Sequence, residues 1–447
     1  MLIVHSVRFI FEEVFGKGGK NVNVTLVLLI VLFAVLAVIG VPLALALGLS
    51  TFVSLALTTD MLLVVIAQKV QLGADSYLMM AVPLFILAAN IMNYSGVTER
   101  IFRFARAIVG SMPGALGHAN VVASVVFAGI SGSAIADSAS LGNIEIKSME
   151  DQGYPTEYAA AITVASATIG PIFPPSIPLV IYAGIASVSV GKLFMGGVVP
   201  GLIIALALMV LNHILSVENK YPRDERMTPR QIWDCFRESF LPILSPAIIL
   251  FGITFGWFTP TEAAAVIVLY AFILGFFVYK ELKLSYLPRI FKETMMTTGI
   301  VMFIVAAANA FSYVLTICKL GNVLTDMAAA MPNAITFIIV VNILLLILGM
   351  FMESTAILIV ITPVLVPVAQ AMGIDLVYFG VMMVLNLMIG LATPPFGMGL
   401  FTVSQVAKLP VEKTVKAILP FIPVLLVVLL MIIFMPALVT WLPSIVM

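Results

Sequence analysis

Thr168-Ile169-Gly170-Pro171-Ile172-Phe173-Pro174-Pro175 interrupts an apolar stretch that runs from 157 to 190. Proline removes backbone donors and clashes with the preceding turn, and glycine loosens what remains, so a helix cannot continue through these eight residues. The second half of the chain holds a mate, Ile389-Gly390-Leu391-Ala392-Thr393-Pro394-Pro395. The two fall in one register. Gly153 pairs with Gly373, Tyr158 with Tyr378, Ile169-Gly170 with Ile389-Gly390, and Pro174-Pro175 with Pro394-Pro395, each 220 residues apart. Matching Leu or Val in two apolar sequences would mean little. A glycine and Pro-Pro set in one register marks an internal repeat.

The solvent of this repeat is lipid. Of 447 residues, 62% are hydrophobic and 10% charged, too little polar surface to cover a water-soluble exterior. The 22 Lys+Arg balance 22 Asp+Glu, which favours neither nucleic acid nor an acidic partner. Cys235 and Cys318 have no metal-ligand or redox spacing and read as inert thiols. No GxxxxGK[ST] phosphate loop, HExxH or membrane-depth Ser-His-Asp set occurs, so the sequence predicts no enzyme and no ATP hydrolysis by this chain.

A span needs about 20 apolar residues. Val24–Leu57 is predicted to hold two short spans divided at Gly40-Val41-Pro42. Further apolar stretches lie near 77–95, 107–144, 157–190, 193–216, 240–258, 260–279, 294–317, 333–372, 376–406 and 418–441. If the hairpins at 107–150 and 333–372 are re-entrant, only Arg8, Lys17, Lys20, Lys69, Lys192 and Lys319 of the 22 cations fall outside. The positive-inside rule asks for such a split. Treating the hairpins as full crossings inverts the sides of the most basic loops. Both termini are therefore expected outside.

The predicted organisation is an all-α membrane protein of two repeats, 23–216 and 240–441, joined by an inside loop at 217–239. Each repeat has five crossings, one hairpin and one interrupted helix, at 155–190 and at 376–406. Five is odd, so the second repeat is upside down, the architecture of secondary transporters. Residues 1–22 mix charge with Phe9, Phe11 and Phe15, lack a cleavage site, and read as an interfacial amphipathic helix.

Chemistry is expected where the backbone unwinds. Freed carbonyls can bind a cation, and a restarting helix points its positive end at an anion. The hairpin tips, Gly129–Ala134 and Met352–Thr355, add small hydroxyl residues. Ser131, Ser133, Thr168 and Gly170 are the candidate ligands of one sodium ion, and Ser354, Thr355, Gly390 and Thr393 of a second. The substrate anion is expected between the tips, against Ser131, Ser133, Glu353 and Ser354 and before the helix starts that follow Pro174-Pro175 and Pro394-Pro395. Every arginine lies in a predicted loop, interface or leader, so no arginine clamp holds that anion.

Three carboxylates, Asp137, Glu262 and Glu353, are expected to be buried at membrane depth, where an ionisable group is costly and usually functional. Glu353 sits at a tip. Asp137 lies one turn beyond Ser133 and could equally hold the hairpin together. Glu262, in Thr259-Pro260-Thr261-Glu262, fits a capping box as well as a transport role. Arg100, Arg103 and Arg106 share a helix face, predicted to lie on the inner leaflet without touching substrate. His118 and His213 read as structural.

These stretches resemble a known family. Gly129–Gly142 (GISGSAIADSASLG), Ala165–Pro178 (ASATIGPIFPPSIP), Phe258–Val266 (FTPTEAAAV) and Phe379–Pro395 (FGVMMVLNLMIGLATPP) are similar to the large membrane subunit of tripartite ATP-independent periplasmic (TRAP) transporters. The resemblance runs from about residue 24 to 440. It implies sodium-driven uptake of an organic acid anion, such as sialic acid, a C4-dicarboxylate or a sulfonate, across a bacterial inner membrane. It implies delivery by a periplasmic binding protein, support from a separate small four-helix subunit, and an elevator motion of hairpins and interrupted helices. A sodium symporter of the same superfamily that works without a binding protein is the alternative; an intramembrane enzyme lacks a nucleophile with a base, and closed hairpins argue against a channel.

Overall fold

The computed structural model describes residues 22–59, 64–224, 226–320 and 333–447; the expected leader helix at 1–22 lies almost wholly outside them. Among the described residues every regular element is helical. The chain opens with α1 (Val22–Val38) and α2 (Leu43–Thr58), divided at Gly40 and Pro42 as proline and a left-handed glycine dictate. Helices α3 (Val64–Ala74) and α4 (Ala81–Asn93) follow, the latter extended by a short turn at Leu78–Met80 that is bent by 54° from α3. Then come α5 (Val97–Val109), the pair α6 (Ala115–Ser131) and α7 (Ala134–Asp151), and the pair α8 (Thr156–Ala167) and α9 (Ile177–Ala186).

The long α10 (Val190–Glu218) leads to α11 (Pro229–Thr254), α12 (Pro260–Ile273) and α13 (Leu287–Ile317). The second hairpin pair is α14 (Ala334–Phe351) and α15 (Ser354–Ala371), and the second broken helix is α16 (Leu376–Leu391) and α17 (Met398–Val406). The chain ends with α18 (Val411–Ile418), α19 (Phe421–Phe434) and α20 (Ala437–Val446). Among the described residues 6 helices are long and apolar enough to cross a membrane, or up to 8 if each bent pair is one span.

Several boundaries move from their expected places, each for a local reason. The first hairpin starts at Ala115 rather than 107, because residues 97–109 form their own helix, closed at Gly110 and separated by Pro113 and Gly114. The 217–239 loop shrinks to 219–228, because Thr228 and Gln231 build a capping box that starts α11 early. The stretch 418–441 is divided at Met435 and Pro436.

Matching polar pairs tie hairpin to broken helix in both halves. In the first, Asn120 on α6 donates to Thr163 at 2.8 Å and accepts from Ser166 at 2.6 Å, both on α8. In the second, Asn386 on α16 donates to the side chain of Asn342 on α14 at 2.8 Å. Ser166 and Asn386 stand 220 apart, so the repeat reaches the buried contacts. With no water to satisfy them, such groups must find each other.

The arginine helix α5 packs its apolar side, including Ile101, Phe102 and Ala105, into the protein. Its arginines meet acids from three other segments: Arg100 with Glu281 at 2.6 Å, Arg103 with Glu238 at 3.1 Å, and Arg106 with both oxygens of Asp224. Each exposed pair contributes up to about 1 kcal/mol. Together they dock the connecting loop and the starts of later helices onto α5. Gln152 adds a bond to Asp224 at 2.7 Å, and Tyr154 one to the Pro222 carbonyl at 2.9 Å, fixing the loop to the base of the first hairpin.

Candidate substrate and cation site

Both hairpin tips meet one cavity of about 850 Å³, within the roughly 300–1,000 Å³ typical of small-molecule sites. The first tip contributes Ser131 to Ala136 and the second Phe351 to Ala356. Opposite them stand Val38 and Val41 from the start of the chain, Asn90 of α4, and Thr297 and Ile300 of α13. Among the described residues the lining includes no Lys, Arg or His.

The first tip is made by glycine. Gly132 closes α6 in the left-handed conformation at φ 60°, and a Cβ there would come 2.5 Å from the Pro175 carbonyl oxygen. The tip therefore lies directly against the first broken helix. Ser133 caps α7 by accepting from the Ala136 N–H, and Ser131 donates its hydroxyl to Asp137. Asp137 is buried. Its other oxygen, Oδ2, has no hydrogen-bond partner among the described residues and faces Gly170, where a Cβ would overlap it. Ser131, Ser133, Asp137 and Gly170 are thus brought together. Thr168 is buried beside them in sequence, its hydroxyl bonded to the Ala165 carbonyl at 2.6 Å.

The second tip repeats the geometry with other side chains. Glu353 caps α15, accepting from the Ala356 N–H at 2.7 Å, and is half-buried. Ser354 is buried and donates to the Leu387 carbonyl of α16 at 3.0 Å, while Thr355 lines the cavity. Gly390 touches the hairpin arm at Gly349, where a Cβ on Gly390 would meet the Gly349 Cα at 2.8 Å. Thr393 donates to the Ile389 carbonyl at 2.6 Å.

The four Pro-Pro residues stand behind the cavity rather than in its wall. Pro171, Ile177 and Pro178 line it in the first half, and Met388 and Leu391 in the second. Helix α9 restarts with Ser176 as its cap, its hydroxyl accepting from Leu179 N–H at 3.2 Å. Pro174 and Pro175 are buried, whereas Pro395 is exposed.

One expected carboxylate is corrected. Glu262 is exposed, and its carboxylate accepts from the Thr259 N–H and hydroxyl, both at 2.8 Å; it completes a capping box at the start of α12, away from the cavity. Residue-by-residue reading also missed Asn90 and Thr297 in the cavity wall and Glu145, which is buried on α7. Asn90 could have been found as an amide one turn inside the end of an apolar helix, and it bonds Thr294 of α13 at 2.9 Å. Glu145 could have been found as the acid two turns beyond Asp137.

Repeated hairpins and broken helices, closing on a cavity inside an apolar helical protein, are the construction of a membrane transport permease and not of an enzyme. Residues 30–438 match the family model of the tripartite ATP-independent periplasmic transporter, DctM component, and the chain belongs to that family. It is 42% identical to the sialic acid TRAP transporter large permease protein SiaM of Vibrio cholerae, over 91% of this chain and 95% of that protein. It is 38% identical to the C4-dicarboxylate TRAP transporter large permease protein DctM of Vibrio cholerae, over 94% of this chain and 98% of the relative. Among solved structures, the Alcanivorax borkumensis YdaH transporter superposes with a TM-score of 0.59 over 83% of this chain and 87% of its own, at 13% identity, a likeness of fold alone. As one component of a tripartite transporter, the chain works with a small membrane subunit and a periplasmic binding protein.

Proposed function

We propose that this permease carries an organic acid anion across the bacterial inner membrane by symport with sodium, using substrate released by its periplasmic binding protein. A carboxylate such as sialic acid or a C4-dicarboxylate is favoured by the substrates named for SiaM and DctM. The observation that carries the reading is the cavity's charge. Among the described residues its lining has Glu353 and no Lys, Arg or His, and buried Asp137 stands behind it. An anion entering alone would face those carboxylates at low dielectric, which is strongly unfavourable. Sodium ions bound first remove the penalty, and each ligand then raises the affinity of the other.

In this reading Ser131, Ser133, Asp137 and the backbone at Thr168 and Gly170 hold one ion. The unpartnered Asp137 Oδ2 and the hydroxyls beside it are the hard oxygen donors such an ion takes. Ser354, Thr355, Gly390 and Thr393 hold the second. The substrate lies between the tips, and the two hairpins with their broken helices move together as an elevator, the small partner being a separate four-helix chain. The termini lie outside and residues 219–228 inside.

The test is uptake into proteoliposomes holding both membrane subunits, with binding protein present and sodium replaced by choline. Uptake should fall to background; full uptake in choline removes sodium coupling. Orientation is tested apart from this, with single cysteines in intact cells. A label applied from outside should reach Ile445→Cys and miss Thr228→Cys, and labelling of position 228 reverses the proposed topology.

A further inference from the structure

Two turns below the first tip, α7 carries a second buried carboxyl. Asp137, Leu141 and Glu145 follow one another at i, i+4 and i+8, so they share a helix face, and all three are buried. Glu145 is 1% exposed, and neither of its oxygens has a hydrogen-bond partner among the described residues. Nothing in the sodium and substrate reading uses it.

Among the described residues the surroundings offer no counter-charge. Helices α5, α6, α8 and α17 pack against this arm. Helix α5 brings Glu99 and its three arginines, but those are committed to Glu281, Glu238 and Asp224. Helix α6 brings His118, which stands beside His213. Helix α8 brings Glu157, paired with Lys413, and Tyr158, whose hydroxyl donates to Asn212. Helix α17 has no titratable residue. On α7 itself, Lys147, Glu150 and Asp151 are partly or fully exposed. Among the described residues the charge that acts on Glu145 is Asp137, of like sign.

An ionised Glu145 would be a buried anion with a like charge two turns away, which is strongly unfavourable. A sodium ion would need several oxygens around it, and no hydroxyl, amide or second carboxylate is bonded to Glu145 among the described residues. A single proton removes the charge and needs no cage. We propose that Glu145 is a proton-binding site of the first hairpin, distinct from the sodium sites, and that the hairpin moves with this carboxyl neutral. The step is binding of one proton to one carboxylate oxygen, with no other bond made or broken. Uptake should therefore be fastest at low pH and fall as pH rises and the proton is lost.

Acid-minus-base infrared difference spectra of the purified two-subunit membrane complex in lipid test the site without any transport assay. The wild type should show a protonated-carboxyl band that is missing in Glu145→Gln and unchanged when sodium is added at a fixed low pH, where the carboxyl stays protonated even when sodium neutralises Asp137. Glu145→Asp should shift the band, which keeps the test valid if the glutamine variant does not fold. In uptake assays Glu145→Gln should hold the low-pH rate and vary less than about twofold over a pH range where the wild type falls about tenfold. Identical wild-type and Glu145→Gln spectra overturn the proposal. A band abolished by sodium overturns it too, since the site would then hold a metal cation.

Discussion

The two hairpin tips share a register and differ in chemistry. Ser133 and Glu353 stand 220 apart and do the same local work, each accepting the N–H three residues on, from Ala136 and Ala356. Around that common cap the tips diverge. The first is closed: Gly132 lies on the Pro175 carbonyl, Ser131 reaches Asp137, and its broken helix is buried through Pro174 and Pro175. The second is open: Glu353 looks into the cavity, Pro395 is exposed, and Phe351 and Phe396 pack ring to ring at 5.7 Å. The repeat fixes where helices stop and restart, because glycine and proline act locally. Which carboxylate is enclosed and which is presented is left to side chains one turn either way.

The largest effect should come from closing the space at the first tip. Gly132→Ala places a Cβ 2.5 Å from the Pro175 oxygen at a positive φ, for a loss of about 2–4 kcal/mol from overlap and strain together. Uptake should disappear and the complex should melt earlier. Gly153→Ala is the control. It has a φ of 86° and open space around it, so it should cost about 1 kcal/mol and leave transport intact. Equal effects of the two would show that the contact with Pro175 does not matter.

Next come the carboxylates. If the closed tip is the stricter cation cage, Asp137→Asn should lower uptake at least about tenfold, which is about 1.4 kcal/mol of coupling. Glu353→Gln keeps a capping oxygen in a half-exposed place and should lower uptake less. The reverse ranking, read from initial rates at saturating sodium, would make the open tip the stricter one.

A smaller change is expected from Ser133→Ala. The Ala136 N–H lies 3.4 Å from the Ser133 hydroxyl, so the lost cap costs little, near the lower end of about 0.5–2 kcal/mol. The informative readout is sodium, whose half-maximal concentration for uptake should rise. An unchanged sodium curve takes Ser133 out of the site.

Smallest of all is Glu262→Ala, the acid that caps a helix without a cavity beside it. Loss of its capping box should lower the melting temperature only slightly, since the carboxylate is exposed, with uptake kinetics unchanged. A transport defect at wild-type stability would return Glu262 to the transport machinery.

Sequence by itself determined the solvent, the repeat and the breaks. A chain this apolar must sit in lipid, and in lipid every backbone group needs an internal partner, so proline and glycine mark the unwound stretches wherever they occur. That is why both tips, both interrupted helices and the register between them were legible from spacing alone. Tertiary structure decided which polar groups are enclosed. Asp137, Glu262 and Glu353 look alike in a window of apolar neighbours, yet one is buried, one is exposed and one is half-buried in the cavity wall. The arginines of α5 find acids at 224, 238 and 281, and Asn120 and Asn342 find partners more than 40 positions away. Burial and pairing depend on which distant segment arrives beside a side chain, and no local pattern of residues encodes that arrival.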